Sequence, residues 1–128
     1  MPLAGGFIKK EDLSKEKTFP LTVVFCESCK ETQILETISS TILFKDYRFV
    51  SSTTNTLSNH FVQYAKTMKQ KFLKKDSLVI EFGSNDGVLL KPFNDLGIKA
   101  IGFEPAKNIA LLAKQKGCEV INDFFNSI

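Results

Sequence analysis

The chain has 128 residues, which is about one domain's worth of sequence. Hydrophobic residues make up 43% and charged residues 24%, which excludes a wholly disordered chain, a collagen-like repeat and a coiled-coil rod. The net charge is +3 from 17 basic and 14 acidic residues, and this mixed balance predicts neither a nucleic-acid partner nor a membrane partner.

The first twenty residues, 1–20, indicate a loop. Met1–Phe7 runs directly into a mixed charge run at Lys9–Lys17, without the apolar stretch that a secretory signal carries after its basic start. The apolar runs of the chain, such as Leu21–Phe25, are too short for a transmembrane helix. Three cysteines are an odd number that argues against a disulfide framework, so the sequence predicts a protein of the reducing cytoplasm.

A strand signal at Leu21–Phe25 leads into a Cys-x-x-Cys pair. Cys26 and Cys29 follow this β-branched and aromatic run, and Thr32–Leu35 is a candidate return strand of a hairpin. Two thiolates at a hairpin tip have the spacing of a zinc knuckle, but they supply only half of a tetrahedral zinc site. A redox pair is the less favoured alternative, because the motif enters a hairpin and not a helix N-terminus.

Helical spacing follows the hairpin in two places. A first, rough pattern consists of Leu35, Ile38, Ile42 and Leu43. After a polar loop at Ser51–Thr56, steps of three and four predict one long amphipathic helix with an apolar stripe of Leu57, Phe61, Tyr64, Ala65, Met68 and Phe72. Its lysine-rich second half is most simply a solvated face. The only histidine, His60, lies off the stripe, where a hydrogen-bonding role is favoured over that of a general base.

The last third of the chain alternates strands with helices. The strands are predicted at Ser77–Phe82, Lys99–Phe103 and Cys118–Ile121. The helices are predicted at Val88–Leu96 and Ala106–Lys116, with Gly97 and Gly117 as their stops. This βαβαβ order predicts the α/β class with a parallel, doubly wound sheet.

A glycine-rich turn, Glu81–Gly87, joins the first of these strands to the first helix. Ligands of open α/β sheets bind at this end of the strands. Gly83 allows a tight turn, and Gly87 allows a ligand or the sheet to approach the backbone closely. Asn85 occupies a position that often holds glycine, and asparagine is among the few residues that tolerate a positive φ.

Two classes of nucleotide ligand compete for this turn. A dinucleotide fingerprint would need glycines at positions 83, 85 and 88, and the chain has Asn85 and Val88 at the last two. Glu81 and Asp86 would repel a pyrophosphate but suit a ligand with a cationic end, such as S-adenosylmethionine. Glu104, which ends the second strand, can accept hydrogen bonds from both ribose hydroxyls.

The remaining candidate ligand-binding residues follow from this placement. Asp123 comes after the third strand and could accept a hydrogen bond from an adenine amino group, with Phe124 or Phe125 against the ring. The full set of predicted cofactor-binding residues is Glu81, Gly83, Ser84, Asn85, Asp86, Gly87, Glu104, Pro105, Asp123 and Phe124.

Six sequence blocks together carry a resemblance. They are PLAGGF at 2–7, FPLTVVFCESC at 19–29, FKDYRFVSST at 44–53, NHFVQYA at 59–65, EFGSNDGVLLKPF at 81–93 and GFEPAKNIA at 102–110. In this order they resemble the zinc-containing, S-adenosylmethionine-dependent C-methyltransferases that act on nucleotide-linked keto-deoxysugars. The GSNDG block and the GFEPA block followed by an asparagine are together quite specific.

The resemblance implies a zinc-binding region at 1–49, a connecting helix at 50–75 and the first half of a Rossmann-like, class I methyltransferase domain at 76–128. It implies S-adenosylmethionine and zinc as cofactors and a nucleotide-linked sugar as substrate. Tyr47 lies where the family has aromatic residues near the sugar and cofactor, and this makes it a weak catalytic candidate. His60 is a second weak candidate on the ground of its imidazole chemistry.

The chain departs from the family plan in two respects. The family's zinc site uses two Cys-x-x-Cys pairs, whereas this chain has one. The family's sheet has seven strands, whereas this chain has about three. We therefore expect a fragment, or a naturally split or degraded gene product, which could be inactive alone. One alternative is a non-catalytic, truncated module that folds poorly or acts only through its cysteine hairpin with a partner; it is kept because the first strand of a three-stranded parallel sheet has an open edge that invites association. A dinucleotide-dependent oxidoreductase is less favoured.

Overall fold

The computed structural model describes residues 2–3 and 8–126. The chain forms two compact units, Met1–Leu43 and Phe44–Ile128. Within the described residues no helix is both long enough and apolar enough to cross a membrane.

The first unit is built around a short antiparallel hairpin. Strand β1 (Val23–Phe25) pairs with β2 (Thr32–Ile34), and the Cys-x-x-Cys pair lies in the turn between them, which confirms the predicted hairpin. A 3-10 helix at Lys10–Lys15 replaces part of the predicted loop, with Lys15 Nζ 2.7 Å from Asp12 Oδ1.

Helix α1 (Ser40–Phe44) is shorter than the spacing of its apolar residues predicts. Leu35 extends the hairpin instead, since its backbone N–H donates to the Thr22 carbonyl at 2.9 Å. Glu36 accepts the backbone N–H of Thr22 at 2.9 Å, and this hydrogen bond lies outside any helix. Because Leu35 and Glu36 are hydrogen-bonded to Thr22, the helix begins only at Ser40.

The second unit holds a three-stranded parallel sheet in the order β3–β4–β5, which confirms the α/β class. Its strands are β3 (Leu78–Phe82), β4 (Lys99–Phe103) and β5 (Glu119–Ile121), in register from Leu78 against Lys99 to Phe103 against Ile121. Its helices are α2 (Asn55–Lys71), α3 (Leu90–Asp95) and α4 (Lys107–Gln115), and a 3-10 turn at Ser51–Thr53 precedes α2. Gly97 and Gly117 follow α3 and α4 with φ of 75° and 80°, as predicted for helix stops.

One face of this sheet carries the core. The core cluster takes Ala65 from α2, Leu90 and Phe93 from α3, Ala110 and Ala113 from α4, and Ala100 and Val120 from the strands. The other members of the predicted α2 stripe are half-buried or, like Tyr64 and Phe72, exposed. Small side chains on α4 let that helix lie close to the strands.

The opposite face of the sheet carries apolar side chains that remain exposed. Strand residues alternate between faces, so Leu78, Ile80 and Phe82 point away from the helices, as does Ile121. All four side chains are exposed. The helices of the described chain therefore cover one face of the parallel sheet.

Candidate functional site

The turn after β3 has the conformation that its sequence predicts. Gly83, Asn85 and Gly87 all have positive φ, at 68°, 47° and 77°. The backbone N–H groups of Gly83 and Ser84 both donate to the Phe103 carbonyl, at 2.8 and 3.1 Å, and this ties the turn to the end of β4. Asparagine at position 85 thus takes the left-handed conformation that glycine would otherwise supply.

The two glycines of the turn have different surroundings. A Cβ on Gly83 would meet nothing within 4 Å, so the backbone there faces open space. A Cβ on Gly87 would lie 2.8 Å from Cys118 Sγ and 3.2 Å from Ala113 Cβ. Gly87 therefore permits packing against the core, where Cys118 is buried, and Gly83 leaves open space beside the backbone.

Glu104 lies at the carboxyl end of β4 and is held by the backbone. Its Oε2 accepts the N–H of Asn85 at 2.9 Å, and its Oε1 accepts the N–H of Ala106 at 2.9 Å. Asn122 Nδ2 donates to the backbone carbonyls of Glu104 and Pro105, at 2.8 and 3.1 Å. The side chain is 5% exposed, and each carboxylate oxygen keeps a second lone pair for another donor.

Glu81, near the end of β3, is a second carboxyl group in the same region. Burial, and secondarily the charge of Glu104, raise the pKa of Glu81 from 4.5 to about 7. Its Oε2 is buried and has no hydrogen-bond partner among the described residues, as is also true of Ser84 Oγ and Asp86 Oδ1. Buried polar atoms are normally paired, so these three atoms have hydrogen-bonding capacity that the described protein leaves unused.

Asp86 is fully buried, and its charge is balanced within the protein. Its Oδ2 contacts Lys116 Nζ just beyond α4 and accepts a hydrogen bond from Ser52 Oγ. Lys116 Nζ also donates to Ser52 Oγ at 3.0 Å. The sequence assigned Asp86 to a cationic ligand, whereas the structure pairs one of its oxygens with a lysine of this chain.

A segment ahead of α2 is hydrogen-bonded to the same turn, a contact that local sequence patterns do not predict. Asn85 Oδ1 accepts the backbone N–H of Ser51 at 2.8 Å, and Asn85 Nδ2 donates to the Phe49 carbonyl at 3.1 Å. Tyr47 is fixed through its backbone, because Asn108 donates to its carbonyl at 2.6 Å and accepts its N–H at 3.3 Å. The loop predicted at Ser51–Thr56 is instead a 3-10 turn at Ser51–Thr53 followed by the start of α2 at Asn55, and Ser51 and Ser52 supply partners for the turn.

The remaining predicted site residues are either part of a group of aromatic rings or exposed. Phe44 contacts both Tyr47 and Phe124 through ring pairs with centroids 6.5 Å apart. Asp123 is exposed, and its Oδ1 accepts the backbone N–H of Phe124 at 2.8 Å. His60 is exposed on α2, with its ring against Phe61.

The hairpin of the first unit presents its two thiols on a tight turn. Cys26 N–H donates to the Glu31 carbonyl at 2.9 Å, and Lys30 N–H, at a residue with φ of 63°, donates to the Cys26 carbonyl at 2.8 Å. Hydrogen bonds from the backbone and thiol of Cys29, and from the backbone of Ser28, lower the pKa of the Cys26 thiol. A lowered pKa favours the thiolate that metals bind.

The hairpin supplies two candidate metal ligands, Cys26 and Cys29. Among residues 2–3 and 8–126, no three His, Cys, Asp or Glu side chains are placed to hold one metal ion. Structural zinc takes four ligands, so the described residues offer half of such a site and do not complete it.

Comparisons with known proteins found one match to the N-terminal region and one to most of the chain. Residues 1–44 match a protein family described as "Putative zinc binding domain". Over 122 residues the chain is 35% identical to the C-methyltransferase NovU of Streptomyces niveus, an alignment that covers 94% of this chain and 29% of that protein. The predicted resemblance to a C-methyltransferase and the predicted zinc-binding character of the N-terminal region are each supported by one of these matches. The chain spans less than a third of the length of the relative it matches.

Proposed function

We propose that this chain is the cofactor-binding portion of an S-adenosylmethionine-dependent C-methyltransferase that acts on a nucleotide-linked keto-deoxysugar. The observation that carries the proposal is the buried, unpartnered carboxylate oxygen of Glu81 close to the carboxylate of Glu104. Two carboxyl groups at the carboxyl ends of adjacent parallel strands favour a ligand with a positive charge and ribose hydroxyls. The similarity to a C-methyltransferase supports the same ligand.

The residues of the turn fit this cofactor in three respects. Gly83 leaves open space beside the backbone, Glu104 is oriented by two backbone N–H groups, and Glu81 offers an acceptor that the described protein does not use. When bound, S-adenosylmethionine supplies an electrophilic methyl group. The described residues would bind and orient it, a contribution that comes from positioning.

The carbon that receives the methyl group has to become nucleophilic, and a base that removes its proton would achieve this. Tyr47 and His60 stay weak candidates for that step, because one is anchored near the turn through its backbone and the other is exposed on α2. In this proposal residues 1–49 form the zinc-binding region, 50–75 connect, and 76–128 hold the cofactor.

A calorimetric titration with S-adenosylhomocysteine tests the proposal. We expect Glu104→Gln to weaken binding by about tenfold or more, since loss of charge and of one acceptor removes hydrogen bonds of about 1.5 to 3 kcal/mol to a charged group. Glu119→Gln is the matched control: Glu119 is exposed on β5, pairs with Lys99 at 3.8 Å and lies outside the turn. Tighter binding of NAD than of S-adenosylhomocysteine, or an unchanged affinity in Glu104→Gln, would contradict the proposal.

A further inference from the structure

A cavity of about 610 Å³ lies where α2 and α3 end, and we call it the lysine cavity. Its charged lining residues are Lys66, Lys69, Lys74 and Lys75. No aspartate or glutamate of the described chain is among the residues that line it. The volume is in the range of small-molecule binding sites, and the charge of the lining is of one sign.

Three of the four ammonium groups have no counter-charge in the protein. Lys69 Nζ donates to the Leu96 carbonyl at 2.7 Å, just beyond α3, where a cation beside the last carbonyls is favourable. Within residues 2–3 and 8–126, the side chains of Lys66, Lys74 and Lys75 have no ion-pair or hydrogen-bond partner. Because like charges repel, an anion bound among these three side chains would be stabilised by all of them.

The acidic residues close by in sequence do not neutralise these lysines. Asp95, the last residue of α3, pairs with Lys91 one turn earlier in the same helix. Asp76 follows Lys75 directly and is exposed in the turn before β3, outside the lining of the cavity. One unpaired carboxylate beside three unpaired ammonium groups leaves an excess of positive charge.

The backbone that carries Lys74 and Lys75 is already fixed in a turn. The Lys74 N–H donates to Ser77 Oγ at 2.8 Å, and the Ser77 N–H donates to the Lys74 carbonyl at 3.1 Å. The Leu73 N–H donates to the Met68 carbonyl at 3.2 Å, which attaches the turn to α2. A ligand therefore does not have to order this part of the backbone when it binds.

The uncharged lining of the cavity is largely apolar. Leu73 and Leu96 are half-buried beside it, and Ile98 connects it to the core with only 2% of its surface exposed. A Cβ on Gly97 would meet nothing within 4 Å, so the backbone leaves open space there. An inorganic anion would leave these apolar side chains in contact with water, whereas the organic part of a larger ligand would cover them.

The lysine cavity and the turn Glu81–Gly87 lie at opposite ends of the sheet. Strand β3 begins at Leu78 and β4 at Lys99, directly after residues that line the cavity, whereas the turn follows the last residue of β3. Strands of this length separate their two ends by about 13 Å. The cavity is therefore a separate site, and it does not depend on the proposed function.

We propose that the lysine cavity binds an organic diphosphate, with its phosphate groups among Lys66, Lys74 and Lys75 and its apolar part against Leu73 and Leu96. Single exposed ion pairs contribute little, so an anion with one charge would gain too little to bind. A diphosphate carries several charges and can contact several ammonium groups through charge-assisted hydrogen bonds. Lysine is a point charge with rotatable donors, so the site recognises charge and not one planar geometry.

An NMR titration of the isotope-labelled 128-residue chain tests the site at low ionic strength, with uridine diphosphate, pyrophosphate and uridine as probes. We expect uridine diphosphate to bind most tightly, pyrophosphate more weakly, and uridine not to bind. The amide signals of Gly97 and of the turn at residues 74–77 should shift, and those of Glu81–Gly87 should not. Added salt should weaken binding, because exposed charges are screened.

The double variant Lys66→Gln/Lys74→Gln should weaken binding of uridine diphosphate by about tenfold or more, because two charge-assisted contacts are lost. The matched control is Lys71→Gln/Lys114→Gln, which has the same net charge and changes exposed lysines outside the lining. Circular dichroism of both variants should match the parent. The proposal is overturned if the two variants bind alike, if uridine binds as tightly as uridine diphosphate, or if neither phosphate probe binds.

A second comparison separates this site from the proposed cofactor site. Glu104→Gln should bind uridine diphosphate as the parent does, and S-adenosylhomocysteine should not displace it. Displacement, or weaker binding in Glu104→Gln, would place the diphosphate at the turn and overturn the proposal. A chain that binds uridine diphosphate in the cavity but does not bind S-adenosylhomocysteine keeps this site and contradicts the proposed function.

Discussion

At the scale of single residues, Glu81 and Asp86 show how similar carboxyl groups acquire different roles. Both are acidic neighbours of the same turn, and both have one buried oxygen without a partner. Asp86 has a lysine beside its other oxygen, so its charge is compensated inside the protein. Glu81 has burial and a second carboxylate instead, and both raise its pKa. Sequence position predicted the proximity of these groups to the turn but could not predict the contact with Lys116, 30 residues further along the chain.

The raised pKa of Glu81 predicts a pH dependence of stability. Between pH 4.5 and about 7 the folded protein keeps a proton that the unfolded chain has lost. The free energy of unfolding should therefore fall as the pH rises through this window and then level off, by about 1 to 3 kcal/mol for this residue after allowance for its partial exposure.

Urea denaturation of the parent and of Glu81→Gln at pH 5 and pH 8 measures this effect. We expect the variant to gain stability relative to the parent at pH 8 and to differ little at pH 5, because glutamine is neutral at both. An equal difference at both pH values would show that Glu81 titrates normally.

The pair between Lys116 and Asp86 makes a second residue-scale prediction. Lys116→Met removes the partner of a fully buried carboxylate, and we expect a loss of about 2 to 4 kcal/mol in the free energy of unfolding at pH 7. Lys114→Met, on the exposed side of α4, should change it by less than about 0.5 kcal/mol. Equal losses in the two variants, measured by chemical denaturation, would contradict a stabilising role for the pair.

At the scale of elements, the strands and helices of the second unit could be predicted because their patterns are local. The apolar run before Gly83 predicts a strand from adjacent residues alone. Gly97 and Gly117 likewise predict where the two helices end, without information on tertiary contacts. The contacts of the segment at Phe49–Ser52 with Asn85 and Asp86 could not be predicted from local patterns, since they span more than 30 residues. Helix α1 was predicted too long because the periodicity from Leu35 competes with hairpin hydrogen bonds.

Gly102, the last residue but one of β4, is a position where packing requires glycine, and residue spacing did not predict this. A Cβ at this position would lie closer than 3 Å to Ser84 Oγ, Ser84 Cβ and Leu90 Cδ1, so the strand and the turn pack through the absence of a side chain. We expect Gly102→Ala to lower the free energy of unfolding by about 2 to 3 kcal/mol through overpacking.

Gly83→Ala provides the comparison for Gly102→Ala, because a Cβ there meets open space and only the positive φ opposes it. Gly83→Ala should lower the free energy of unfolding by about 1 kcal/mol. Thermal unfolding of both variants checks the order, and a larger loss at Gly83 would place the steric constraint in the turn and not in β4.

At the scale of the whole molecule, the two units differ in how completely they could be predicted. For the second unit, the parallel sheet followed from strand and helix order. For the hairpin unit, the cysteine spacing indicated a metal, whereas the described side chains supply two ligands. The spacing of the two cysteines predicted a pair of thiolate metal ligands. It could not predict whether further ligands complete a four-ligand site.

This ligand count predicts weak zinc binding by the chain alone. We expect zinc bound at Cys26 and Cys29 to be removed by the chelator 4-(2-pyridylazo)resorcinol without denaturation, because two thiolates hold it less tightly than four ligands. The Cys26→Ser variant should lose binding, and Cys118→Ser should retain it, since Cys118 is buried in the other unit. Zinc that withstands the chelator would show that further ligands complete the site.

The fixation of Glu104 by the N–H groups of Asn85 and Ala106 has a thermodynamic consequence. A carboxylate already held in one orientation has little rotational freedom left to lose when the proposed nucleoside ligand binds. Association at this strand end should therefore proceed without a slow isomerisation step, and stopped-flow traces should show a single phase whose rate rises linearly with nucleoside concentration.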